Sequence, residues 1–129
     1  MRIQPYVAFG EVRLGDDEQA VVSVLGFPET RVVNREGELE LQYEHTVARL
    51  AKGSVVEVTS RPEALEIGDD RISRHRLPAY LLEWDADAKE KCGFVISPKF
   101  GIAVDTDTQN DGWISVFVNG RWDEFLNHA

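Results

Sequence analysis

The stretch Leu14-Gly15-Asp16-Asp17-Glu18-Gln19-Ala20-Val21-Val22-Ser23-Val24-Leu25-Gly26-Phe27-Pro28 decides how this chain is read. It is a helix with both ends written out. Asp16 stands where an N-cap accepts from the free amides of a first turn, and Gln19 comes three residues later in capping-box spacing. Asp17 and Glu18 put negative charge where the helix dipole favours it. Ala20, Val21, Val24 and Leu25 share one face. Gly26 supplies a left-handed stop, and Pro28 forbids continuation. The pattern predicts a short helix over 16–25 whose apolar side needs something to pack against.

Beyond Pro28 the chain reads as sheet. Thr30 to Asn34 is β-branched and ends in the turn chemistry of Arg35-Glu36-Gly37. Leu39, Leu41 and Tyr43 alternate with Glu40, Gln42 and Glu44, the period-2 pattern of a half-buried strand. Residues 46–51 form a less regular strand. Lys52-Gly53 then turns the chain into 54–59, where Val56 and Val58 alternate with Glu57 and Thr59; two strands about a two-residue turn containing Gly make a hairpin. Residues 62–67 read either as a helical turn or as a strand, and Gly68-Asp69-Asp70 as a loop. Pro78 suits the first turn of a helix. Tyr80, Leu81, Leu82 and Trp84 would form its buried side, and Asp85–Lys89 and Asp87–Lys91 its i,i+4 pairs. A strand through 79–84 is the rival. The last third reads as a meander: strands at 94–96, 100–104 and 113–118, then an Asn119-Gly120 hairpin turn leading into a strand over 121–126. Short turns between successive strands imply antiparallel pairing. The fold class is therefore α+β: a single domain, 1–129, mainly antiparallel sheet with one or two helices packed on one face.

Composition narrows the function. The chain has 129 residues, 43% of them hydrophobic, with 14 Lys and Arg against 23 Asp and Glu and a net charge of -9. That length buries enough surface to fold without disulfides or metal. Collagen-like, disordered and helical membrane classes are excluded by ordinary Gly and Pro content, ordinary apolar content and the lack of a long apolar run. The acidity is spread evenly, which disfavours nucleic acid as a partner. Cys92 is the lone cysteine and precedes an apparent strand, so its plain role is structural. The N-terminal residues carry no apolar signal-peptide core, so a cytoplasmic location is the expectation.

No catalytic fingerprint stands out. Gly-x-Ser-x-Gly, the phosphate-binding loop and the dinucleotide fingerprint are missing from the sequence. The loop from Asp105 to Gly112 resembles a calcium loop. Counted from Asp105, however, position six is Asn110, and counted from Asp107, position twelve is Val118. His45, His75 and His128 have no metal-ligand spacing. The expectation is no metal and no cofactor. Arg71, Arg74, His75 and Arg76 form the one basic cluster, either a solvated loop balancing Asp69 and Asp70 or a small anion contact. Trp84, Trp113 and Trp122 read first as core. Trp also dominates protein interfaces, and an acidic surface would be steered to a basic partner. The candidate binding residues are Asp105, Asp107, Asp111 and Trp113, because the three carboxylates crowd one loop beside a tryptophan and loops on a rigid sheet are common binding positions.

The run from Leu14-Gly15-Asp16 through Leu25-Gly26-Phe27-Pro28, continued by paired strands with Tyr43 and a Lys52-Gly53 turn, resembles one unit of the beta-lactamase-inhibitor-protein-like fold, shared with small outer-membrane assembly lipoproteins. The resemblance covers residues 12–59. It implies a protein that binds proteins and is not an enzyme. The functional expectation is a non-enzymatic protein-binding domain, of the bacterial immunity or inhibitor type, that occludes a basic protein partner. The alternative is a small enzyme or small-ligand-binding protein whose site is assembled only in the fold.

Overall fold

The computed structural model describes residues 1–107 and 112–127. The helix of the opening stretch is α1 (Glu18–Leu25), and its cap lies one residue later than the spacing suggests. Asp17 is the N-cap and accepts from the Ala20 amide at 2.8 Å. Asp16 accepts instead from the Arg13 amide at 3.0 Å, tying the preceding turn. Gly26 ends the helix at φ +84 as expected, and Val21 is its fully buried residue.

Three very short strands precede α1: β1 (Arg2–Gln4), β2 (Ala8–Phe9) and β3 (Val12–Arg13). After it come β4 (Thr30–Val33), β5 (Leu39–Gln42), β6 (Thr46–Ala51), β7 (Ser54–Ser60), β8 (Ala64–Ile67) and β9 (Asp70–Ser73). A 3-10 turn (Arg74–Arg76) leads into α2 (Leu77–Trp84), and then β10 (Lys89–Lys91), β11 (Phe94–Ser97), β12 (Ile102–Asp105), β13 (Ile114–Phe117) and α3 (Asp123–Asn127). The strands form two sheets. The smaller has the order β3-β2-β1-β8-β9, and the larger β10-β11-β12-β13-β7-β6-β5-β4. Only the β1–β8 pairing is parallel among the described pairs. The architecture is thus α+β and mainly antiparallel.

The two sheets share one apolar core. Ile3, Phe9, Val12, Leu65, Ile67 and Ile72 of the smaller sheet meet Leu41, Leu50, Val58, Val104 and Val116 of the larger, with Val21 of α1 and Leu77 and Leu81 of α2 in the same cluster. The third helix, α3, stands where the sequence pattern suggests a strand, and it lies on the other side of the larger sheet. Its Phe125 and Leu126, with Trp122, pack on Ile96, Ala103 and Phe117, whose side chains point away from the main core. Helices therefore cover both faces rather than one.

Several local expectations fail for identifiable reasons. Asn119-Gly120 does not open a hairpin. Gly120 has φ +88, but Asn119 is not left-handed, and a type I′ turn needs both. The chain bends into α3 because Trp122, Phe125 and Leu126 recur at helical spacing and bury one apolar side. Of residues 62–67, Ala64–Ile67 form strand β8, and 79–84 lie in the helix α2, which stops at Trp84. Asp85 is its C-cap, so the expected Asp85–Lys89 and Asp87–Lys91 helical pairs do not exist. Instead Asp85 is buried and accepts from Ser97 Oγ at 2.6 Å and from the Lys99 and Asp87 amides at 3.0 and 2.9 Å. Burial pushes its pKa up, and these donors outweigh it and hold the carboxyl below its ordinary range. Trp84 is 55% exposed rather than core, and Leu82 is also exposed.

Lys52-Gly53 forms the expected two-residue turn, with φ +52 and +81. Cys92-Gly93 forms a second of the same kind between β10 and β11, at φ +51 and +83. Cys92 is exposed in that turn. The basic cluster is not a free loop: Arg71 bonds Glu66 at 3.0 Å rather than Asp69 or Asp70, and Arg74 donates to the Pro62 carbonyl at 3.2 Å.

Candidate functional site

The outer face of the larger sheet carries an ordered charge row, produced by one β-bulge. Pairing of β6 and β7 begins with Ala51 opposite Ser54 and Leu50 opposite Val55, then shifts so that Arg49 faces Glu57 and Ala48 faces Val58. Val56 is the extra residue. A regular ladder would leave Glu57 on the same side as Val55, which is fully buried in the core. The bulge turns Glu57 to the outer face. The inward valines are therefore Val55 and Val58, not the simple alternation of Val56 and Val58.

On that outer face Glu40, Arg49 and Glu57 stand side by side across β5, β6 and β7. Arg49 Nε donates to Glu40 Oε2 at 3.1 Å, and Arg49 Nη1 donates to Glu57 Oε2 and Thr59 Oγ1, both at 2.9 Å. Thr59 and Ser115 face each other on neighbouring strands, their hydroxyls 2.7 Å apart. The segment after β13 closes the row. Arg121 grips Glu38 with two nitrogens at 2.6 and 2.9 Å and reaches Glu57 Oε1 at 3.3 Å, while Trp122 Nε1 donates to the same Oε1 at 2.8 Å. Asn34 and Gln42 amides complete Glu38 and Glu40 at 2.9–3.4 Å.

Each oxygen of Glu38, Glu40 and Glu57 thus accepts at least one hydrogen bond. The bidentate Arg121 grip holds the Glu38 carboxyl below its ordinary range. Burial pushes Glu40 up, but the Gln42 and Asn34 amides and Arg49 outweigh it, and the net direction is also down. Such carboxylates stay ionised at neutral pH. A general acid working there needs the opposite displacement.

The network floors two adjoining hollows. One, of about 520 Å³, is lined by Glu36, Glu38, Glu40, Arg35 and Arg121. The other, of about 410 Å³, is walled by Phe94, Trp113 and Trp122, with Thr59, Ser115 and Asp105. They meet over Arg49, Glu57 and Trp122. The aromatic wall is braced from behind, since Trp122 packs on Phe94 and Phe125 with ring centres 5.4 Å apart in each case.

Of the four binding residues expected from sequence, this trough gathers two. Asp105 and Trp113 are half-buried in its wall. Asp107 is exposed and is not among the lining residues; its amide donates to Asp105 Oδ1 at 2.9 Å. Asp111, with residues 108–110 of the calcium-like loop, lies outside the described residues, as does His128. Among the described residues, no three His, Cys, Asp or Glu side chains gather as metal ligands. His45 is exposed beside Glu44, 3.6 Å away, and His75 is exposed on the 3-10 turn; neither enters the trough. Sequence reasoning misses Arg49, Glu57, Phe94 and Trp122 as site residues. The signal available for them is the charge alternation at polar strand positions, but its meaning depends on a bulge that no residue type announces.

No family model, no curated protein and no solved structure matches this chain. Among the described residues no helix is long and apolar enough to cross a membrane.

Proposed function

We propose that this chain is a non-enzymatic protein-binding domain that works in the cytoplasm, and that its outer-face trough receives a basic segment of a partner protein. The observation that carries this reading is the lining of the trough: five carboxylates against three guanidiniums, beside an aromatic wall. Lysine and arginine side chains suit such a lining, since their charged heads seek carboxylates and their stems and guanidinium planes lie against aromatic rings. A molecule of net charge -9 adds long-range attraction for a cationic partner and repels nucleic acid. The paired, ionised state of Glu38 and Glu40 argues against acid–base chemistry at the same place. The resemblance of residues 12–59 to inhibitor-type units supports the same class. In its most concrete form the protein occludes a basic functional site on its partner, as an immunity or inhibitor protein does.

The alternative, a small-ligand protein, draws support from a different place. A cleft of about 340 Å³ between the sheets is lined by Met1, Phe9, Val12, Leu25 and Val58, with the paired hydroxyls of Thr46 and Ser60. Titrating isotope-labelled protein with an extended Lys/Arg-rich peptide, and with a Glu-rich control, separates the readings. Shifts of the Trp113 and Trp122 indole signals with the basic peptide alone, weakening as salt rises, are expected. Trough signals unmoved by the basic peptide, or moved equally by both, would sink the protein-binding trough.

A further inference from the structure

The two edges of the larger sheet are built differently. β10 carries Lys89, Glu90 and Lys91, and charge of this kind discourages strand addition. β4 reads Thr30-Arg31-Val32-Val33 and is exposed along its whole length, with Val33 68% exposed. Phe27, just before it, is 90% exposed. The only charge on β4 is already matched, because Arg31 donates to both oxygens of Glu18 at 2.7 and 3.0 Å. Its hydrogen-bonding parity is set by the hairpin. Asn34 donates to the Glu38 carbonyl at 2.8 Å, and Val32 opposite Glu40 and Thr30 opposite Gln42 share that parity. The intervening residues, Arg31 and Val33, therefore direct their N–H and C=O groups away from β5.

We propose that β4 pairs antiparallel with β4 of a second copy of this chain, about a twofold axis through Val32, so that the larger sheets of two molecules run on as one. In this register Arg31 meets Val33 of the second copy, and the reciprocal pair forms on the other side of the axis, giving ~4 backbone hydrogen bonds. Val32 packs on its own counterpart. Beyond the strand ends, Glu29 and the turn residue Arg35 of the second copy stand at the same end of the seam, and both side chains are exposed. Charge selects this register over its neighbours. Centring on Arg31 would oppose Arg31 to itself, and like charges directly opposite are unfavourable; centring on Val33 would run Arg31 against the turn after β4 of the second copy, where Arg35 stands. The same register carries Phe27 toward the Asn34–Glu38 turn of the second copy. A twofold axis normal to the sheet keeps both troughs on one side, so the assembly is bivalent.

Sedimentation of the full chain over a concentration series tests this. A dimer is expected, and it tightens with added salt because each copy carries a charge of -9. That dependence is opposite in sign to the one expected for the basic peptide. Val33→Pro removes an outward amide and leaves the β5 ladder intact, so it should give a monomer with an unchanged far-UV spectrum. Glu29→Arg and Arg35→Glu should each weaken the dimer about fivefold, and together restore it. In a Cys92→Ser background, Val32→Cys should cross-link two copies on oxidation, since the symmetric pair places Cα atoms ~4.5 Å apart. A wild-type monomer throughout the series, a Val33→Pro dimer of unchanged strength, or no rescue in the charge-swapped pair would overturn the proposal.

Discussion

The inner face of the larger sheet presents Leu41, Ala48, Val58 and Val104, all at most 1% exposed. Its outer face presents Glu40, Arg49 and Glu57, one strand apart from each other and bonded in series. The same backbone ladder holds both faces, but different physics secures their side chains. The inner face gains from surface taken out of water and depends on volume and shape. The outer face gains little from its ion pairs once their desolvation is counted, and depends on every partner being present. Each face is therefore vulnerable in its own way. The inner face is most sensitive to lost volume, whereas the outer face is most sensitive to a lost partner.

The largest effect is expected on the inner face. Leu41→Ala should lower unfolding free energy by about 3–4 kcal/mol, through lost transfer energy and a residual cavity. Urea unfolding at pH 7 and at pH 4 should show the same loss, because no ionisable group is involved. A loss under about 1 kcal/mol would mean that the two sheets close over the gap.

Glu57→Ala should come next, at about 2 kcal/mol. It strips Arg49, Arg121 and Trp122 of an acceptor, but the two guanidiniums are 24% and 21% exposed and can turn partly to water. The C-terminal segment should loosen with it, read as faster hydrogen exchange at the Trp122 indole and across α3. Exchange there equal to wild type would show that Phe125 and Leu126 dock α3 without help from the ion cluster.

The smallest effect separates the faces by pH. Glu38 titrates lower in the folded chain than its ordinary value, held down by Arg121. The unfolded chain therefore takes up this proton first as pH falls. The stabilisation is complete above about pH 5 and drains away as pH drops through the folded value. Glu38→Gln should then lower the urea midpoint at pH 7, and the gap to wild type should narrow as pH falls below about 5. A gap of constant size across that range would place the cost in packing rather than in charge.

Much of the molecule is legible in its sequence because local signals agree with tertiary demand. Asp17 to Gly26 forms a helix through its cap, its apolar face and its left-handed stop, and 39–59 pairs through alternation and a Lys52-Gly53 turn. The fold class comes from these. The N-terminal part of the smaller sheet is not legible, since β1, β2 and β3 have two or three residues each and show no period, and the parallel β1–β8 pairing joins residues more than sixty positions apart. Of the site, Asp105 and Trp113 are within reach because both sit at the ends of readable strands.

The amino-acid order alone specifies one helix with its C-terminal stop, the hairpin core of the larger sheet, the acidity and the lack of a known catalytic motif. It does not specify which way Glu57 points. A bulge of one residue reverses sidedness, and that bulge is chosen by what the core accepts. The fate of 119–127 is likewise a tertiary matter. There Asn119-Gly120 favours a hairpin locally, yet Trp122, Phe125 and Leu126 gain more by lying on Ile96 and Phe117. Local chemistry proposes both the turn and the strand phase, but burial against residues distant in sequence selects among them, because that is where the larger free energy lies.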